Sequence, residues 1–265
     1  MINTQKYSMV GVMARLFKLG GRVFDCWRPL AIYAALLTLL ALTVKNISLA
    51  CMNTYDGWCG IFLQSKVFIP LFIFYVLLYV HLFLAFAVDF YDEAFNANSF
   101  TIKNLWRRSK EKWQKEMFLW GYLLGYLLPF SLAAKLLLQK ANPDWRIEMV
   151  YFTLIFAALM FIVLMIRISA SVSRYLSCKK AEFTLIYEQT KGRGYVAVMT
   201  FLVLLALLLL SSMRLNIWFD SLSISMPWVS GILIFIKNSF VLAFTALMFV
   251  FFRVQDELLK NTVDK

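Results

Sequence analysis

The sequence predicts an all-α polytopic membrane protein with six transmembrane helices, and three observations carry that prediction. Of the 265 residues, 62% are apolar and only 16% charged, with a mean hydropathy of +0.71. Soluble domains are nearer half apolar and a quarter charged. Six separate runs approach the ~20 mostly apolar residues that a spanning helix needs. The charged residues cluster between those runs. A membrane barrel would alternate polar and apolar residues along each strand, and these runs do not. One integral membrane domain therefore covers 1–265.

The elements follow in order. In the lead segment 1–28, Met9, Val12, Met13, Leu16, Phe17, Phe24 and Trp27 recur at helical spacing, with Arg15, Lys18 and Arg22 off that stripe. This predicts an amphipathic helix in the membrane interface, weakened in its middle by Gly20-Gly21. Span one is 29–47, its clean apolar part cut at Val44 by Lys45 and Asn46. Ser48-Leu49-Ala50 offers small residues to a signal peptidase, but a lead of 28 residues is long for a signal peptide, so span one reads as an uncleaved signal-anchor. Span two is 67–88. In the loop that follows, Ile102, Leu105, Trp106, Ser109, Trp113 and Met117 share one helical face while Lys103, Arg107, Arg108, Lys110, Lys112 and Lys115 occupy the rest. That predicts a second amphipathic helix, running straight into span three at 117–138. Span four is 149–168. Before span five (196–217) the pattern is poorer. Leu176, Phe183, Ile186 and Tyr187 share a face with Lys179 and Lys180, and Lys191-Gly192-Arg193-Gly194 breaks the helix. Span six is 229–252, and 253–265 is a tail.

The three helix-plus-hairpin units suggest an internal repeat. Trp27, Trp113 and Tyr195 open spans one, three and five, 86 and 82 residues apart. Phe100-Thr101-Ile102 is echoed by Phe183-Thr184-Leu185, and Phe118-Leu119 by Phe201-Leu202.

Charge sets the topology. With an even number of spans both termini share a side. That side holds twenty of the 27 Lys and Arg: five in 1–28, six in 89–116, six in 167–195 and three in 253–265. The other side holds Lys45, Lys66, Lys135, Lys140, Arg146, Arg214 and Lys237. Basic residues are retained in the cytoplasm, so both termini are predicted to be cytoplasmic, in a bacterial inner membrane. The net charge of +12 is then matched by anionic lipids of the cytoplasmic leaflet. Nucleic-acid binding would need a recognisable fold around the basic loop, which a loop this short cannot supply.

The segments KKAEFTLIYEQTKGRGYVAVM (179–199) and ALMFVFFRVQDEL (246–258) resemble six-span bacterial inner-membrane proteins. These are the YciC-like proteins and the membrane domains attached to some glycerophosphodiester phosphodiesterases. The likeness covers the whole chain in architecture and about thirty residues in sequence. Tyr187-Glu188-Gln189 departs from the serine-rich turn that the family often has there. The resemblance implies a location more than an activity.

Chemistry-bearing constellations are few. His81, the one histidine, gives too few ligands for a zinc or haem site, and no G-x-S-x-G accompanies it. No metal site and no cofactor are expected. The acids lie outside the spans in this reading: Asp89, Asp92 and Glu93 close span two at the interface, and Asp144 and Glu148 precede span four. Lys237-Asn238 falls inside span six. Sixteen residues from Arg253, at ~1.5 Å each, put Lys237 near the far edge of the apolar layer. There it snorkels outward, or with Asn238 and His81 it faces a polar path. Gly121 and Gly125 form a G-x-x-x-G for close helix packing. Cys51 and Cys59 flank a turn on the outer face, where a disulfide can form; Cys26 and Cys178 read as free thiols. Spans one, two, four and five lack glycine, whereas transporters build their sites from broken helices. A non-enzymatic scaffold or complex subunit is therefore expected, in a homo-oligomer or with other membrane subunits. Its interface would be Trp27, Trp106, Arg107, Arg108 and Trp113. A transporter or channel for a small solute or lipid, lined by His81, Lys237 and Asn238, is the alternative.

Overall fold

The computed structural model describes residues 9–53, 68–96, 98–140, 148–149, 152, 155–156, 169–177, 196, 198–204, 206–207, 210–211, 213–214 and 229–263. Among these the chain is helical, without strands. The helices are α1 (Met9–Gly20), α2 (Arg22–Asp25), α3 (Trp27–Asn53), α4 (Phe68–Phe95), α5 (Lys103–Trp106), α6 (Lys110–Lys140) and α7 (Ser230–Val263). Residues 169–176 are helical as well.

Among the described residues three helices are long and apolar enough to cross a membrane, over Trp27–Val44, Pro70–Phe95 and Ser230–Leu258. They coincide with the first, second and sixth predicted spans and mark a membrane-associated protein. The third predicted span is helical throughout, inside α6. The fourth and fifth lie largely outside the described residues.

Local chemistry explains several boundaries. The lead segment breaks where the two glycines predict: α1 stops at Gly20, and α2 begins after Gly21. The Cys26 amide donates to the Arg22 carbonyl at 3.1 Å, carrying the chain from α2 towards α3. Pro29 and Pro70 each sit in the first turn of a long helix, where no intrahelical amide bond is lost. At the end of α4 the Asn96 and Asn98 amides both donate to the Asp92 carbonyl, at 3.1 and 3.2 Å. Two carbonyl-directed amides of this kind close a helix C-terminus.

Two predicted stripes are corrected. The helix expected from Ile102 to Met117 is interrupted: α5 ends at Trp106, and Arg107 leaves the helical region at φ −121°, ψ 72°. Ser109 then caps α6, its Oγ accepting the Lys112 amide at 3.3 Å. In the lead segment the apolar residues divide between two surfaces. Val12, Leu16, Val23 and Cys26 are buried, while Val10, Phe17, Phe24 and Trp27 are exposed. Part of the predicted lipid-facing stripe is core instead.

The chain forms two compact units. One comprises Met1–Gly21, Thr101–Ala206 and Phe249–Lys265; the other comprises Arg22–Phe100 and Leu207–Met248. In the second unit α3 packs closely on α4. Tyr33, Ala34 and Leu37 of α3 are buried, as is the whole run Leu84–Tyr91 of α4. Tyr33 meets the Phe86 ring edge-on at 5.8 Å. The other end of α4 is bare: Leu71–Phe74, Val76 and Leu77 are all exposed. Helix α7 joins α3 through Asn238, whose Nδ2 donates to Thr38 Oγ1 at 3.1 Å. In the first unit Phe118 stacks on Tyr175 at 3.9 Å and Phe201 tilts against Phe251 at 6.2 Å. Tyr33, Phe118 and Phe201 lie six, five and six residues past Trp27, Trp113 and Tyr195.

Gly231 faces α3. A Cβ placed there would lie 3.7 Å from Leu42 Cδ1, an ordinary contact. Gly231→Ala is expected to be neutral or to stabilise by about 0.5–1 kcal/mol through helix propensity, whereas Gly231→Leu should lower the melting temperature in detergent. Equal tolerance of both variants would exclude a close α3–α7 approach at this point.

Candidate functional site

Each unit contains a cluster of buried polar side chains, and these are the chemically distinctive places in the molecule. In the second unit the cluster lies where α3 begins and α4 ends. Tyr33 Oη donates to Asp89 Oδ2 at 2.6 Å, in the buried core. One turn further on, Asn96 Nδ2 donates to Asp92 Oδ1 at 2.8 Å. Arg22 reaches across from α2: its Nη1 donates to the Ala94 carbonyl at 2.6 Å and its guanidinium lies over the Phe95 ring at 5.5 Å. A cation at the last carbonyls of α4 also answers the negative end of the helix dipole. Beside this cluster the Cys26 thiol is buried and free. Its pKa is pushed up to about 11, first by loss of water and then by the nearby Glu93 and Asp25, with Arg22 opposing.

In the first unit Arg108 pairs with Glu116, and Lys115 Nζ binds Glu111 Oε1 at 2.9 Å. Arg174 Nε donates to Asp256 Oδ1 at 2.7 Å, tying the 169–176 helix to α7. Arg253 reinforces that seam: its Nη1 donates to Ser177 Oγ and its Nε to Glu257 Oε1, both at 3.0 Å. Ser169, Ser171 and Ser173 are enclosed alongside.

These clusters correct the reading of the acidic residues. Asp89 and Asp92, expected at the interface, are 1% and 2% exposed, and Glu116 and Asp256 are fully buried. The reason is the partner in each case: a buried carboxylate is tolerated when it is paired or hydrogen-bonded.

The predicted site residues separate. Trp27 is exposed at the start of α3, with the Arg28 guanidinium 6.0 Å from its ring. Trp113 and Arg107 are exposed as well, whereas Arg108 is turned inward to Glu116. Trp106 closes α5, and its side chain lies outside the described residues. Of the three intramembrane candidates, Asn238 is buried and bonded to Thr38, Lys237 beside it is exposed, and His81 is half-buried on α4. Gly121 and Gly125 are both exposed, and among the described residues a Cβ on either would meet nothing within 4 Å. Cys59 lies outside the described residues, as does the side chain of Cys51. Among the described residues no three His, Cys, Asp or Glu side chains converge to hold a metal ion.

The residues that sequence reasoning missed are Tyr33, Thr38, Glu116, Arg174 and Asp256. Tyr33 lies six residues past Trp27, as Phe201 does past Tyr195, and that spacing is the signal that could have found it. Compared with known proteins, the chain matches no family model, no curated protein and no solved structure.

Two outcomes follow from the clusters. Asp256→Asn leaves Arg174, only 11% exposed, without its counter-charge and should cost about 3–5 kcal/mol. Tyr33→Phe removes one hydrogen bond from Asp89 and should cost less, about 1–3 kcal/mol. Thermal unfolding in detergent reads both, and the reverse order would refute the assignment of Asp256 as the more tightly committed carboxylate. Separately, Cys26 should resist iodoacetamide at pH 8 in the folded protein and react after unfolding, as peptide-resolved mass spectrometry can score. Native labelling should rise only as the pH climbs towards about 11; fast labelling at pH 8 would contradict its burial.

Proposed function

We propose that this chain is a non-enzymatic, six-span protein of the bacterial inner membrane, with both termini in the cytoplasm, acting as a scaffold or as a subunit of a membrane complex. The observation that carries the reading is the use made of polar groups. Tyr33–Asp89, Arg174–Asp256 and Asn238–Thr38 each bind one helix to another. Polar side chains used in this way hold helices together. Supporting it are the three apolar helices, the bias of Lys and Arg to one side of the membrane, and the resemblance of 179–199 and 246–258 to the YciC-like proteins. Trp27, Arg107 and Trp113 are exposed and are the residues assigned to partner or lipid contact.

The deciding measurement is the native mass and composition of the protein extracted gently from its own membrane. A second protein in fixed ratio is expected, and Trp27→Ala with Trp113→Ala should reduce its recovery severalfold without changing the melting temperature. A homo-oligomer alone, together with a liposome flux that His81→Ala or Lys237→Gln abolishes, would replace this reading with that of a transporter.

A further inference from the structure

We propose that the surface from Ile102 to Trp113 docks onto anionic phospholipid headgroups, and that the adjacent arginines divide the work: Arg107 faces the lipid while Arg108 holds the fold. The sequence gives no reason to separate them. The structure does, because the helix breaks between α5 and α6. At that break Arg107 is exposed, and so are Lys103 before it and Lys110 after it. Arg108 points the other way, its side chain only 7% exposed and paired with a fully buried Glu116. The exposed acid nearby, Glu111, already binds Lys115. The outward surface therefore carries three cations, with the neighbouring anion neutralised.

Apolar side chains stand among those cations. Ile102 is 62% exposed and Trp113 46%. From Trp113 the exposed face continues along α6 through Met117, Gly121 and Leu124. Those positions are four, four and three residues apart, which is one face of a helix. A basic patch that passes without interruption into an apolar helix face matches the boundary between headgroups and acyl chains. Tryptophan favours that depth, and cations beside it attract an anionic leaflet. A soluble acidic protein would satisfy the charges but would not explain why the same face turns apolar and continues into a predicted span. The inference rests on the reading that the chain spans a membrane, with this segment at its surface.

The test uses the full chain in detergent, titrated with phosphatidylglycerol or phosphatidylcholine and observed by native mass spectrometry. Wild-type protein should retain phosphatidylglycerol in preference to phosphatidylcholine. The double variant Arg107→Gln/Lys110→Gln should lose that preference by roughly thirtyfold, since each interfacial cation contributes roughly fivefold, and should melt as wild type does. Arg108→Gln should do the reverse, lowering the melting temperature while the folded fraction keeps its lipid preference. No headgroup preference in the wild type, a double variant that keeps the preference, or an Arg108→Gln protein that loses it with an unchanged melt would each overturn the proposal. So would an acidic protein that co-purifies through Arg107 in place of lipid. Alkaline extraction of the source membranes keeps the two readings apart. Release of the chain would reject the spanning reading itself; retention without a headgroup preference would reject this surface alone.

Discussion

A hydrogen-bonding side chain removed from water must find its partner inside the protein, and much of this structure follows from how that demand is met. Two solutions occur. The first is local: Thr200, Ser239 and Thr245 each donate to the carbonyl four residues earlier. Such bonds satisfy the hydroxyl and leave the helix independent of its neighbours. The second is distant. Tyr33 meets Asp89, Asn238 meets Thr38, and Arg174 meets Asp256, across 56, 200 and 82 residues of chain. A bond of the second kind fixes rotation and register between two helices, because sliding either by one residue would leave a buried polar group without its partner.

Apolar packing alone is less selective in a chain of this composition. Lipid tails are as apolar as leucine, so helices gain from contact mainly through close fit and dispersion. The aromatic contacts supply that fit, Tyr33 on Phe86 in one unit and Phe118 on Tyr175 in the other. Packing is strongest beside the polar bonds. The stretch Leu84–Tyr91 of α4 is buried on every face, whereas Leu71–Leu77 is mostly bare. The bond between Tyr33 and Asp89 falls in the packed stretch, where a carboxylate most needs its donor.

How much of this was legible beforehand depends on the range of the interaction. The helices over Trp27–Val44, Pro70–Phe95 and Ser230–Leu258 follow from run length and composition, which are local properties. The break at Gly20-Gly21 was equally local. The burial of Asp89 was hidden for the same reason: a charge at the end of an apolar run reads as the point where the chain meets water, and only the distant Tyr33 makes burial tolerable. Arg107 and Arg108 look interchangeable in the sequence; Glu116, eight residues on and across a helix break, separates them. Gly121 and Gly125 carry a different lesson. Their spacing gives a helix the capacity for close approach, and among the described residues nothing uses it.

The same distinction bears on function. A residue that serves a solute must keep part of its bonding capacity for it, and Asn238 has one of its two amide N–H groups committed to Thr38. Its amide is given to Thr38, and the Thr38 hydroxyl is itself bonded to the Ala34 carbonyl at 2.6 Å. Asn238 therefore extends a chain of bonds that stiffens α3 against α7. Lys237, one position along and so about 100° around the helix, faces outward. Adjacent polar residues that looked like one site are two different things: one fastens helices together, and the other meets whatever surrounds the protein. Trp27, Arg107 and Trp113 belong with Lys237 in the second group. Surfaces of that kind suit contact with lipid or with other chains, and the proposed scaffold role rests on this division between fastening and outward-facing polar groups.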